Sequence, residues 1–222
     1  MEQDIFAAIT ADDPGKVKEL VAQHPDVAHA RNQAGVSALM QARYENKLDL
    51  VELLRQAGNF DVFEAAALGD VSRLRALLAS DPNLMKAQSS DGFTPLHLAC
   101  FFSQPEAAEL LVRQGADANA VSPTRIAVIH SAAASRNAAM VKLVLKAGAN
   151  PNLQQQGGYT ALHEAAMHNS VERAQALLEA GADLAIRSDD GLTAAQMATQ
   201  KGNKEVLAVL QARSQKGLSP AP

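Results

Sequence analysis

Residues 92–120 read GFTPLHLACFFSQPEAAELLVRQGADANA, and this stretch decides the fold. Thr94 can cap a helix N-terminus, and Pro95 at the first helical position gives up only an N–H that would lack a partner there. Leu96 then begins an apolar face. Ala108 and Leu111 lie three residues apart, on one stripe of a second short helix that stops before Gly115. One unit is therefore a turn followed by two short antiparallel helices.

The unit recurs. His97, His130 and His163 fall at intervals of 33 residues with Gln196 one interval on, and Gly115-Ala116-Asp117 returns as Gly148-Ala149-Asn150 and Gly181-Ala182-Asp183. The second helix keeps an apolar pair throughout: Val17/Leu20, Val51/Leu54, Leu74/Leu77, Ala108/Leu111, Val141/Val144, Ala174/Leu177 and Leu207/Leu210. Seven such pairs predict seven units. A single pair of short helices buries too little surface alone, so neighbours must stack into a solenoid to make a core. In the first unit Lys16 and Glu19 replace apolar residues, as suits an end with nothing before it.

With TPLHLA and GADANA in phase, the chain resembles the ankyrin repeat family over residues 1–213. The resemblance implies an all-α solenoid of helix-turn-helix units joined by turns or β-hairpin fingers. The units fall near 1–32, 33–59, 60–88, 89–121, 122–154, 155–187 and 188–213. Residues 214–222, with Gly217, Ser219, Pro220 and Pro222, read as a disordered tail.

The register is not uniform. Phe6, Met40 and Phe63 take the His97 phase, separated by 34, 23 and then 34 residues, so one joint is about ten residues short and leaves Asn59-Phe60-Asp61 no room for a finger. A shift of 57 brings ten identities into line, among them Asp4/Asp61, Phe6/Phe63, Pro25/Pro82 and Gly35/Gly92. Duplication of a two-unit block explains this, with Asp61 restarting an N-terminal type of unit; ordinary degeneration of repeats is the other explanation. Units two and three are expected to stack into one continuous solenoid.

Composition agrees with helices and narrows the function. Alanine supplies 44 of the 222 residues and leucine 26, while aromatics total 8 with no Trp. The net charge of -4 removes the basic field that a phosphate backbone requires, so no nucleic-acid partner is expected. No apolar run approaches a membrane span, and residues 1–10 show no signal peptide. A single Cys100 forms no internal disulfide, which suits a reducing compartment. The expectation is a cytoplasmic monomer that touches no membrane.

Catalysis, metal and cofactor find no constellation. Stacked helices lie roughly 8–10 Å apart while zinc ligands sit about 2 Å from the ion, so one metal cannot reach all three phased histidines. The resemblance implies that each imidazole ties backbone groups of adjoining turns. His163 and His168 are five residues apart, about 140° around a helix, which rules out an H-E-x-x-H site. Cys100 stands where the inner helix needs a small buried residue. A redox-protective role through that thiol, or self-assembly, are the rival functions.

The resemblance also implies binding of another protein through the concave face. The carried-over positions include Tyr44, Phe93, Phe101, Phe102, Tyr159, Met167 and His168, together with Ile126 and Ala134. Five of the eight aromatics fall in this set. Adjacent helical residues point about 100° apart, so Phe101 and Phe102 cannot both enter one core and are candidate anchors. Phe93 and Tyr159 serve equally as anchors or as packing on a neighbouring unit. The expected centre is Phe101 and Phe102 with Phe93.

Overall fold

Every unit after the first opens where extended backbone meets a helix cap. The Ser37 hydroxyl accepts the Met40 N–H, Asp61 accepts those of Phe63 and Glu64, and Thr94 and Thr193 each accept the N–H three residues on. The computed structural model describes residues 2–217. Seven helix pairs follow one another: α1 (Glu2–Thr10) and α2 (Pro14–Gln23), α3 (Ala38–Tyr44) and α4 (Leu48–Arg55), α5 (Val62–Leu68) and α6 (Val71–Ser80), α7 (Pro95–Phe101) and α8 (Pro105–Arg113). Then come α9 (Val128–Ala134) and α10 (Ala138–Lys146), α11 (Ala161–Met167) and α12 (Val171–Glu179), α13 (Ala194–Lys201) and α14 (Lys204–Gly217). Isolated β-bridges, Arg31 to Ser37, Val121 to Ala127 and Arg187 to Thr193, close three of the turns.

The first helix of each pair packs on the first helix of the next from α1 to α13, giving one continuous inner layer backed by the second helices. Small residues permit the close approach. Ala67, Cys100, Ala133 and Ala166 occupy one phase of the inner helices, and all are buried. Behind them the stripe of the second helices fills the core with Val17, Leu54, Leu74, Leu111, Val144 and Leu177. The fold is an all-helical repeat solenoid.

Three expectations need correction. Counted from the caps, Ser37, Asp61, Thr94, Ala127, Thr160 and Thr193 stand 24 residues apart at the first step and 33 at every later one. The joint is thus nine residues short, and the His97 phase in unit three falls on Glu64, not Phe63. The turn between α5 and α6 is itself one residue short, which displaced a count made from that turn. Next, Leu77 and Leu207 are only partly buried, and the stripe there uses Leu74/Leu78 and Val206/Leu210, one full turn apart. Finally, α14 continues through residues 214–217, because no Gly or Pro interrupts it before Gly217; the remainder of the expected tail lies outside the described residues.

The shift of 57 reappears as structure. The 3₁₀ turns Pro25–His29 and Pro82–Lys86, and the ten-residue helices α2 and α6, occur at that offset. Across the short joint, α3 packs on α5, whereas α4 and α6 do not come into the close contact made by the other neighbouring outer helices. Polar groups hold the seam. The Ser37 hydroxyl donates to Glu64 Oε1 (2.6 Å), the Asp61 N–H donates to Glu64 Oε2 (3.0 Å), and Arg31 pairs with Asp61 (2.6 Å). The His29 ring stands edge-on to Phe60, and the Arg73 guanidinium donates to the Phe60 carbonyl. Burial, followed by the nearby Asp61 charge, pushes the Glu64 carboxyl above its ordinary range.

Candidate functional site: a groove on the inner-helix face

The phased histidines build the floor. The Thr94 N–H donates to His97 Nδ1 (3.2 Å), leaving His97 Nε2 to donate to the Ile126 carbonyl of the next unit (3.1 Å). His130 repeats this with the Ala127 N–H and the Leu153 carbonyl, and His163 with the Thr160 N–H and the Leu192 carbonyl. Both ring nitrogens are used, so each imidazole is a strut between units. Burial drives their pKa values down, to about 4 for His97, so the rings stay neutral. Gln196 continues the pattern, its Oε1 accepting the Thr193 N–H (2.9 Å).

Above this floor lies a groove of about 110 Å³ lined by Tyr44, Phe93, His97, Leu98, Phe101, Ile126, His130, Ser131, Ala134, Gln155 and Glu164. It runs over units two to six. Of the expected site residues it contains Tyr44, Phe93, Phe101, Ile126 and Ala134. Phe101, at the end of α7, is 43% exposed, and Tyr44, at the end of α3, is 37% exposed. Their ring centroids are 6.3 Å apart. The Tyr44 hydroxyl donates to Asp91 (3.0 Å), which fixes that ring at the mouth.

Phe102 has a different job. It caps the C-terminus of α7 and is half-buried, with its ring 5.4 Å from Tyr44 and 5.0 Å from Phe101. The Arg43 guanidinium lies 4.5 Å above its centroid. Phe102 therefore packs beneath the exposed pair. Phe93 and Tyr159 each stand against the histidine of their own unit, Phe93 to His97 at 5.5 Å and Tyr159 to His163 at 6.0 Å. Tyr159, Met167 and His168 are outside the groove lining. The Tyr159 hydroxyl donates to Asp190, the Met167 carbonyl accepts from Asn203, and His168 Nδ1 sits 3.3 Å from Glu164 Oε2.

Three of the four groove residues that sequence reasoning missed share one signal, Gln155 being the exception. Leu98, Ser131 and Glu164 each follow a phased histidine, so the same 33-residue interval that marks the struts also marks the wall. Cys100 lies behind that wall, fully buried, and burial pushes its thiol far above the ordinary range. Among the described residues no three His, Cys, Asp or Glu side chains gather as a metal site, and no helix is long and apolar enough to cross a membrane.

Stacked helix pairs with a groove along the inner helices define a class, the repeat solenoids. The sequence matches the family model described as ankyrin repeats (3 copies) over residues 5–122 and 129–218, and the chain belongs to the ankyrin repeat family. Such repeats are non-catalytic units of protein–protein interaction. The chain is similar to the probable E3 ubiquitin-protein ligase XBOS31 of Oryza sativa subsp. japonica, 38% identical over 69 residues, 31% of this chain and 16% of that protein. It is also similar to the E3 ubiquitin-protein ligase XB3 of the same organism, 35% identical over 86 residues, 36% of this chain and 19% of that protein. The matches thus span less than a fifth of either relative.

Proposed function

We propose that this chain is a non-catalytic binding protein that holds a segment of another protein in the groove over units two to six. The observation that carries the reading is Phe101, a large apolar ring left 43% exposed at the mouth of an apolar groove in a chain with only 8 aromatics. Tyr44 and Phe93 extend the surface, and Phe102 holds it from below. The buried, unpaired Cys100 argues against the redox-protective role and is compatible with a reducing cytoplasm, where we place the chain. The likeness to the two rice ligases covers less than a fifth of either, and we assign this chain a binding role with no ligase chemistry of its own.

The test is affinity capture from the cells that make the protein, comparing the natural chain with Phe101→Ala and Tyr44→Ala at matched melting temperature. A partner whose affinity falls about thirtyfold in Phe101→Ala supports the reading, that being the effect of losing an anchor of about 2 kcal/mol. A partner held equally by both variants, and released by Lys146→Glu on the outer helix α10, refutes it.

A further inference from the structure

The groove also states the chemistry of its occupant, an inference that rests on the reading above. The Tyr44 and Phe101 rings line its mouth, aromatic faces attract cations, and one carboxylate lies in the groove lining while another is bonded to the Tyr44 hydroxyl. At one end Asp91 accepts the Tyr44 hydroxyl on one oxygen and the Ser89 hydroxyl on the other, with no ion pair among the described residues. At the other end Glu164 lies in the wall itself. Beyond it the next turn brings Asp190 to the Tyr159 hydroxyl and Asp189 against Gly158.

The cations of this face are mostly engaged. Arg43 is stacked on Phe102 and donates to the Ala67 and Phe102 carbonyls. Arg173 is 3% exposed, donates to the Ala133 carbonyl and faces Glu164 from inside the fold. Arg125, Arg136, Arg187 and Lys201 are exposed, as are Asp189 and Asp190, but among the described residues the groove lining itself holds no Arg or Lys and one carboxylate, Glu164. His97 and His130, in the floor, are neutral. The stack of Arg43 on Phe102 shows a guanidinium on an aromatic face within this same cluster.

We infer that the groove takes a protein segment carrying Arg or Lys beside apolar residues, its cation set over the Tyr44 and Phe101 rings or against Glu164, and its apolar neighbours on Ile126 and Ala134. The experiment selects random twelve-residue peptides displayed on phage against the full chain, with Phe101→Ala as the counter-selection. Fluorescence anisotropy of the enriched peptides follows, on the natural chain, Asp91→Asn and Glu164→Gln, each checked by thermal melting.

Enrichment of Arg or Lys next to aliphatic or aromatic residues is expected. So is at least a fivefold loss of affinity in one of the two isosteric variants, matched when the peptide's cation is replaced by norleucine, together with weaker binding at high salt. Phe101-dependent peptides that are neutral or acidic, or that bind both variants unchanged, overturn this inference and leave the groove as a binding site. Failure to enrich any Phe101-dependent peptide overturns both.

Discussion

Replacing His97 by Gln should remove a defined part of the protein's acid sensitivity while keeping the unit intact. Gln196 already does the capping work of this position in unit seven, where its Oε1 accepts the Thr193 N–H. At pH 7 the cost should be about 1 kcal/mol, for a less well fitted bond to the Ile126 carbonyl. The pH term follows from the lowered pKa. His97 falls from 6.5 to about 4 on folding, so its neutral form contributes stability above pH 6.5 that is lost as the pH drops towards 4. Between pH 7 and pH 5 the unfolded chain takes up most of a proton at this site and the folded chain almost none, a loss of about 2 kcal/mol. His130 and His163 act in the same direction. Glu64, whose pKa is raised, acts oppositely and gains stability as the pH falls. These groups are common to both proteins and cancel in the comparison. Urea unfolding at pH 7 and pH 5 reads the difference directly. If His97→Gln loses as much stability as the natural chain between the two values, the neutral buried strut is wrong.

Three further outcomes follow from packing and burial. Leu111→Ala, on a fully buried side chain, should cost about 2–5 kcal/mol in denaturant unfolding, against about 1 kcal/mol or less for Phe101→Ala; equal losses would put Phe101 in the core. Gly92 has φ +82° and a Cβ there would run into the Pro123 ring, whereas Gly191 has φ +77° and open space. Gly92→Ala should therefore lower the melting temperature clearly more than Gly191→Ala, which carries only the backbone cost of about 1–2 kcal/mol. The Cys100 thiol should react with iodoacetamide only as fast as the chain opens, so that urea accelerates labelling; rapid labelling of the native protein would revive a redox role.

The repeat, the caps and the buried struts were legible because each depends on a residue type at a fixed interval: Thr94 with His97, Thr160 with His163, Thr193 with Gln196. The seam was legible as a deficit but one residue off, because the turn between α5 and α6 is one residue short and the Asp61 and Glu64 capping box that would have marked the true phase uses different side chains from Thr and His. The adjacent pair Phe101 and Phe102 was correctly read as unable to share one core, yet spacing alone could not say which ring faces out. That depends on Arg43, 59 residues away in sequence, whose guanidinium covers Phe102 and bonds its carbonyl. Glu164 escaped notice for a similar reason: its unit alone shows only a polar residue on a short helix, and the groove forms only when the units from two to six are stacked.

In an array where each unit touches only its neighbours, the boundary between ordered and opened stretches settles at the interface of smallest coupling energy. The short joint is such an interface, because α4 and α6 do not close on each other and a buried carboxylate takes the place of apolar contact. Unit three also carries its own beginning: Asp61 and Glu64 form the capping box of α5 between themselves, although Ser37 and Arg31 of the preceding repeats also bond them. Residues 2–58 can therefore fray as a block and leave a properly terminated array behind, with Tyr44 carried away from Phe101 in the process. Binding that bridges those two rings would draw the block back, so that occupancy of the groove and order of the first two units rise together.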